Sequence, residues 1–286
     1  MNQGKSLNTN VPGNFYVTSA CINCDQCRQI APHTFSEVAN LSAVTNQPNE
    51  YHEVIKAFYA LISCPTGAIG SEQKDGLSTA IQDFPLPIID NIYYCGFTSR
   101  HSWGASSYLI LHPEGNWLID SPRWSPQLVK RIEEMGGIKY IFLTHQDDVA
   151  DANKYAKRFQ AERFIHALEK ESQPDAEHVI QGMDSIQWHT DYKFIMVPGH
   201  TKGHMVFLYR NKYLFSGDHL AWDNELNGLS AHRDVCWFSW KTQTESMERL
   251  AKEKFEWILP GHGNRVFLSQ LEMKNAMVKL IEQMKS

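Results

Sequence analysis

Ile141-Phe-Leu-Thr-His-Gln-Asp-Asp-Val149 decides how the rest of this chain is read. Ile141 to Leu143 are apolar and β-prone, Thr144 closes the run, and His145, Asp147 and Asp148 then offer one imidazole and two carboxylates within four residues. A buried strand that opens into such a loop can hold metal ligands rigidly at its end. A helix is expected to follow, with Asp151, Lys154 and Lys157 on its polar face and Asp151 at its solvated start.

Working outward, three later segments repeat the design of an apolar run that breaks at a turn bearing His or Asp. They are Gly199-His200-Thr-Lys-Gly203-His204 after Lys193–Val197, Leu214-Phe-Ser-Gly217-Asp218-His219, and Leu259-Pro-Gly261-His262-Gly263. Before the opening stretch come strand-like 102–111, a Pro113-Glu-Gly-Asn116 turn, strand-like Trp117-Leu-Ile-Asp120, and an amphipathic helix over 125–135 stopped by Gly136-Gly137. Strands and helices therefore alternate, which predicts an α/β domain with antiparallel or mixed sheets.

The N-terminal quarter differs in composition. Of the six cysteines, Cys21, Cys24 and Cys27 form a C-x2-C-x2-C run, and Cys64-Pro65 follows later. Three thiolates from one tight loop plus a fourth from a distant Cys-Pro suit one cubane cluster, and with no second run Cys64 closes the same one. Cys95 and Cys236 stand apart. Between the third and fourth cysteines, Tyr51–Ile62 carries Val54, Ala57, Phe58 and Leu61 at helical spacing. Polar Gly70–Asp75 and the prolines Pro85 and Pro87 mark a boundary.

With 286 residues, 42% hydrophobic and 12% aromatic, the chain is long enough for two domains with real cores. The 27 Lys and Arg against 32 Asp and Glu give a net charge of −5 without a basic block, which argues against nucleic acid as a partner. No apolar run reaches membrane-span length, and MNQGKSLNTN lacks the pattern of a secretion signal, so a soluble cytoplasmic protein without a membrane partner is expected.

Two resemblances follow from these motifs. Residues 13–70 resemble monocluster bacterial-type ferredoxins, in Phe15-Tyr-Val17, the cysteine run, Ile30-Ala-Pro-His-Thr-Phe35 and Cys64-Pro-Thr-Gly-Ala-Ile69, which implies one [4Fe-4S] cluster on Cys21, Cys24, Cys27 and Cys64. Residues 92–270 resemble the metallo-β-lactamase fold in their Gly-His-Thr-x-Gly-His, Gly-Asp and Pro-Gly-His turns. Together they imply an α+β ferredoxin-like domain over 1–75, a linker over 76–91, and an αββα metallo-β-lactamase-type sandwich over 92–286.

The second resemblance implies His145, Asp147, His200, Asp218 and His262 as metal ligands, with Asp218 bridging, and Asp147, Asp148 and His204 as candidates for catalysis. His166 and His219 have the weaker status of neighbours to ligand positions. The family's first metal loop, His-x-His-x-Asp-His, falls on residues 145–150, where only His145 agrees. Val149 and Ala150 occupy two positions that should serve a second metal, and neither can donate. One Zn, Fe or Mn ion is therefore expected, with a second ion left short of donors unless Asp148 or Asp151 supplies one. Two imidazoles and two carboxylates suit iron or manganese at least as well as zinc. Three functions remain open: a metal-dependent hydrolase of a small-molecule substrate; a redox protein passing electrons from an external reductant or partner protein through the cluster to a mononuclear non-haem iron; and an inactive binding or assembly protein.

Overall fold

The computed structural model describes residues 4–286. By compactness the chain divides into two units, one running to Asn116 and including Pro122–Ile138, the other made of Trp117–Ser121 and Lys139–Ser286.

In the first unit, β1 (Phe15–Val17) is followed by α1 (Gln26–Ile30) and a hairpin of β2 (Phe35–Val38) and β3 (Leu41–Val44). Ala39 and Asn40, at φ 53° and 63°, make the hairpin's two-residue turn. Helix α2 (Tyr51–Ser63) begins with a reciprocal capping box between Glu50 and Glu53. It leads to β4 (Ile69–Ser71), which pairs antiparallel with β1 and brings the two ends of the cysteine-bearing segment together.

The expected apolar face of α2 is rotated. Ile55 and Ile62 are buried with Ala57 and Phe58, while Val54 and Leu61 stand at its margin, because α1 and α3 both pack on this helix and widen its buried stripe. The stretch expected as a linker is itself structured, carrying α3 (Leu77–Asp83) and β5 (Leu86–Ile89). β5 pairs antiparallel with β6 (Ile92–Tyr94), and β6 with β7 (Tyr108–Ile110). Helix α4 (Pro126–Glu134) also belongs to this unit; the Ser125 side chain accepts the Leu128 N–H at its start, and Pro126 occupies the first turn, where no N–H partner is needed.

The second unit is a layered sandwich. Its first sheet is parallel, β8 (Trp117–Ile119) beside β9 (Tyr140–Phe142), β10 (Glu162–His166) and β11 (His178–Ile180), with α5 (Ala152–Phe159) crossing from β9 to β10. The second sheet is mixed. It runs β12 (Ile186–Gln187), β13 (Tyr192–Met196), β14 (Met205–Tyr209) and β15 (Tyr213–Gly217) as antiparallel neighbours. A small hairpin, β16 (Ala221–Asp223) with β17 (Gly228–Ser230), and helix α6 (Trp240–Leu250) intervene. β18 (Trp257–Pro260) then joins β15 in parallel and pairs with β19 (Val266–Phe267), and α7 (Gln270–Lys285) ends the chain.

The period of two along β14 shows how the layers close. Phe207 meets Trp117 and Phe142 of the first sheet at ring separations of 5.1 Å, whereas Val206 and Leu208 face the helical layer with Met247, Met273 and Leu280. Burial on both faces explains why β14 and β15 are apolar without alternation. The turns carrying His145, His200, Asp218 and His262 all leave strands of these two sheets.

Candidate metal centre and cluster pocket

In the second unit, the sheet register prepares the first ligand. Ile119 lies opposite Phe142, so Asp120 at the end of β8 reaches Thr144 just beyond β9. The Asp120 carboxylate accepts the Thr144 N–H at 2.9 Å and its hydroxyl at 3.0 Å. With the hydroxyl proton spent on Asp120, the Thr144 oxygen, 3.0 Å from His145 Nδ1, accepts from that nitrogen. Nε2 is thereby the nitrogen turned to the site, the one that would offer its lone pair to a bound cation.

Five side chains converge there. Asp218 Oδ2 lies 3.6 Å from His145 Nε2, 3.6 Å from His200 Nε2 and 3.7 Å from His262 Nε2. Asp147 Oδ2 lies 3.7 Å from His145 Nε2 and 3.8 Å from His200 Nε2. These separations are too long for hydrogen bonds. They fit atoms sharing a tetrahedral ion at bond lengths of about 2.1 Å, which stand roughly 3.4 Å apart. His145 Nε2, His200 Nε2 and Asp147 Oδ2 are buried and have no hydrogen-bond partner. The donor set therefore fits a divalent cation.

Asp148 lies next to Asp218. The 3-10 turn Gln146–Asp148 points its side chain inward, where it is 1% exposed and neither carboxylate oxygen has a hydrogen-bond partner. Gly261 marks how closely the two acids converge, since a Cβ there would stand 2.6 Å from Asp218 Oδ1 and 2.8 Å from Asp148 Oδ2. His145, Asp148 and Asp218 offer donor atoms within 4.8 Å of one another.

The electrostatics record an excess of anions. Burial pushes the Asp148 carboxyl well up, and the neighbouring Asp218 adds to it. Burial also raises Asp218, but His262 and His145 outweigh it and hold that carboxyl well below its usual range. Burial opposes charge on His145, yet Asp148 and Asp218 lift it to about 10. Without a cation, the imidazole itself becomes the counterion. Asp147 is held low, chiefly by the neighbouring His200 imidazole.

The remaining candidates fall outside the cation positions. His204 is fully buried behind the site, its Nε2 accepting the Asp218 N–H at 3.2 Å, so it supports the Gly217–Asp218 turn. Burial first, then His145 and His219, keep it neutral. His219 is also buried, and burial pushes it down to about 3. His166 Nε2 donates to the Gly182 carbonyl at 2.8 Å. Asp151 starts α5 and pairs with Lys154 at 2.8 Å. Glu169 is a buried acid that the motifs do not reveal. Its carboxylate accepts the Gln146 N–H at 3.3 Å and the Gly203 N–H at 2.5 Å, joining the two histidine loops.

In the first unit, Cys21, Cys24, Cys27 and Cys64 line one pocket, with Ser42 and Ala68 on its wall, while Cys95 and Cys236 lie outside it. Asn23 and Asp25, at φ 56° and 67°, curl the loop so that its three thiols face inward. Burial raises the Cys24 thiol to about 12 and pushes Cys27 up as well. The Asn23 N–H points at Cys21 Sγ at 3.5 Å and the Ala68 N–H at Cys64 Sγ at 3.2 Å, as donors to cluster thiolates do. Four thiols facing one pocket, two of them made costly to ionise by burial, fit an iron–sulfur cluster that would hold them as thiolates.

These features describe a four-cysteine pocket suited to an iron–sulfur cluster and, in the second unit, a layered α/β sandwich whose His/Asp group could hold a metal ion. Residues 17–71 match the 4Fe-4S single cluster domain of Ferredoxin I, and residues 89–281 match the metallo-beta-lactamase superfamily. The chain belongs to the metallo-beta-lactamase superfamily. Over 117 residues it is 32% identical to a hydroxyacylglutathione hydrolase of Photorhabdus laumondii, a match covering 40% of this chain and 46% of that protein. The chain thus spans about half the length of the curated relative it matches. Among solved structures, a metallo-beta-lactamase from Pontibacter korlensis superposes with a TM-score of 0.52 at 16% identity, covering 70% of this chain and 97% of that one. A metallo-beta-lactamase family protein from Thermus thermophilus gives 0.51 at 15% identity, covering 70% and 81%. These likenesses establish the fold. No helix among the described residues is long and apolar enough to cross a membrane.

Proposed function

We propose that the second unit is a cation-dependent hydrolase of a small ester or thioester, carried in one chain with a [4Fe-4S] domain. The observation that carries this reading is the convergence of His145, Asp147, His200 and Asp218 donor atoms at 3.6 to 3.8 Å. Thioesters come first among substrates because the relative from Photorhabdus is named for hydrolysing an acylglutathione.

In this reading His145, Asp147 and His200 hold one ion and Asp218 is shared. Val149 and Ala150 offer a second ion nothing, but Asp148, one position earlier, has two carboxylate oxygens without a hydrogen-bond partner and a donor atom within 4.8 Å of those of His145 and Asp218, and His262 Nε2 lies 3.7 Å from Asp218 Oδ2. We therefore assign a second ion to Asp148, Asp218 and His262, beyond the single ion expected from the loop alignment. Bound divalent cations polarise a substrate carbonyl and lower the pKa of a water. Asp120 and Thr144 keep the proton of His145 on Nδ1. Asp147, whose side chain is 42% exposed, is the carboxylate of the set best able to pass a proton to solvent. Trp237, 67% exposed with its ring 6.4 Å from that of His200, supplies an apolar wall beside the site.

A second reading, electron transfer from the cluster to an iron held by His145, Asp147 and His200, draws on the carboxylate-rich donor set. One comparison separates the two. Wild type, His145→Ala and a folded Cys24→Ser variant are assayed on thioesters, esters and lactones, and for oxygen uptake with a reduced donor. Hydrolysis should fall in His145→Ala by more than the ~10–100-fold typical of losing an outer hydrogen-bond partner. It should survive in Cys24→Ser. Absence of hydrolysis, with oxygen uptake that needs both Cys24 and His145, would replace the first reading by the second.

A further inference from the structure

We propose that Arg123, a residue of the segment matched to the metallo-beta-lactamase superfamily, sets the reduction potential of the iron–sulfur cluster. This goes beyond the hydrolase reading and does not depend on it. The cluster pocket is not walled by the ferredoxin-like segment alone. Gly104, at φ 88°, lies so close to the loop that a Cβ there would stand 2.8 Å from Cys24 Cβ and 3.0 Å from its Sγ. Buried Gln26, next to Cys27, donates to Ser106 Oγ at 3.0 Å and accepts the Tyr94 hydroxyl at 2.7 Å. Tyr94, Gly104, Ser106 and Arg123 all fall within the matched span 89–281 and within the same compact unit as the four cysteines.

Arg123 makes the most directed of these contacts. Its Nη1 donates to the carbonyl of Cys64 at 3.2 Å and of Thr98 at 2.7 Å, and its Nη2 donates to the carbonyl of Ile62 at 2.7 Å. The Thr98 hydroxyl takes the intervening Ser63 carbonyl. The last carbonyls of α2, left without intrahelical partners, are thus gathered by one guanidinium and one hydroxyl. The guanidinium is half-buried, lies 5.5 Å from the Phe97 ring centre, and cannot lose its charge. A fixed positive charge bonded to the backbone of a cluster ligand favours the reduced cluster, which carries one more electron, and so raises the potential.

A purely structural helix cap would predict no such effect, and the test separates the two. Full-length chain with its cluster reconstituted is titrated by spectroelectrochemistry as wild type, Arg123→Lys, Arg123→Gln and Arg123→Met, with iron and sulfide per chain measured for each. Both neutral variants should move to lower potential, changing the ratio of reduced to oxidised cluster at the wild-type midpoint by about tenfold, ~59 mV for a one-electron couple. Arg123→Lys, which keeps the charge, should stay near wild type. Unchanged potentials in Gln and Met variants with full clusters would overturn the proposal. An equal shift in the Lys variant, or loss of the cluster from both neutral variants while Lys retains it, would assign Arg123 to capping alone and overturn it too.

Discussion

At the scale of single residues, Asp148 carries the sharpest consequence. Two acids that approach each other at Gly261, one of them 1% exposed with both oxygens unpartnered, form an arrangement that is expensive without a positive charge between them. His145 provides that charge when no metal is present, which is why its imidazole is pushed up to about 10 against the effect of burial. Asp148→Asn removes one anion while keeping the shape. The expected result, read by native mass spectrometry, is that the ions bound beyond the cluster fall from two to one. A variant that binds as many ions as wild type would remove Asp148 from the ligand set.

At the scale of elements, the site depends on how the loops are tied to one another. The 3-10 turn Ala167–Ser172 after β10 delivers Glu169 between the loop that follows β9 and the loop that precedes β14. A carboxylate can accept from Gln146 and Gly203 at once, whereas a glutamine has one accepting oxygen and must turn an N–H towards the other donor. Glu169→Gln should therefore weaken metal binding by ~10–100-fold, the usual cost of a lost outer partner, in competition with a chromophoric chelator. Unchanged affinity would show that the loops hold their ligands unaided. Nothing in Ala167-Leu-Glu-Lys-Glu-Ser172 distinguishes buried Glu169 from exposed Glu171, since the difference arises from where β10 releases the chain.

At the scale of the whole molecule, the chain combines two inherited designs, and what was legible in it follows the reach of each signal. Cysteines three apart, a Cys-Pro pair, and histidines or aspartates in turns that follow apolar runs are local patterns, so the four thiols and the candidate set His145, Asp147, His200, Asp218 and His262 can be picked out from sequence. Asp120 shows as an acid at a strand end, but its role depends on the parallel register of β8 on β9, which no local pattern encodes. Arg123 and Cys64 are 59 residues apart with no motif between them. The inward turn of Asp148 depends on a 3-10 turn where the family loop alignment counts positions only.

Central to the proposed function is that these side chains hold metal in a chain that also carries a cluster domain. It is tested most directly by elemental analysis of anaerobically purified protein, with iron, zinc and manganese per chain set against acid-labile sulfide. Wild type is predicted to carry two divalent ions beyond the iron that matches the sulfide, and His145→Ala to lose at least one of them while keeping its cluster iron. A wild-type chain with no metal beyond its cluster, after incubation with zinc, manganese and ferrous iron in turn, would contradict the account.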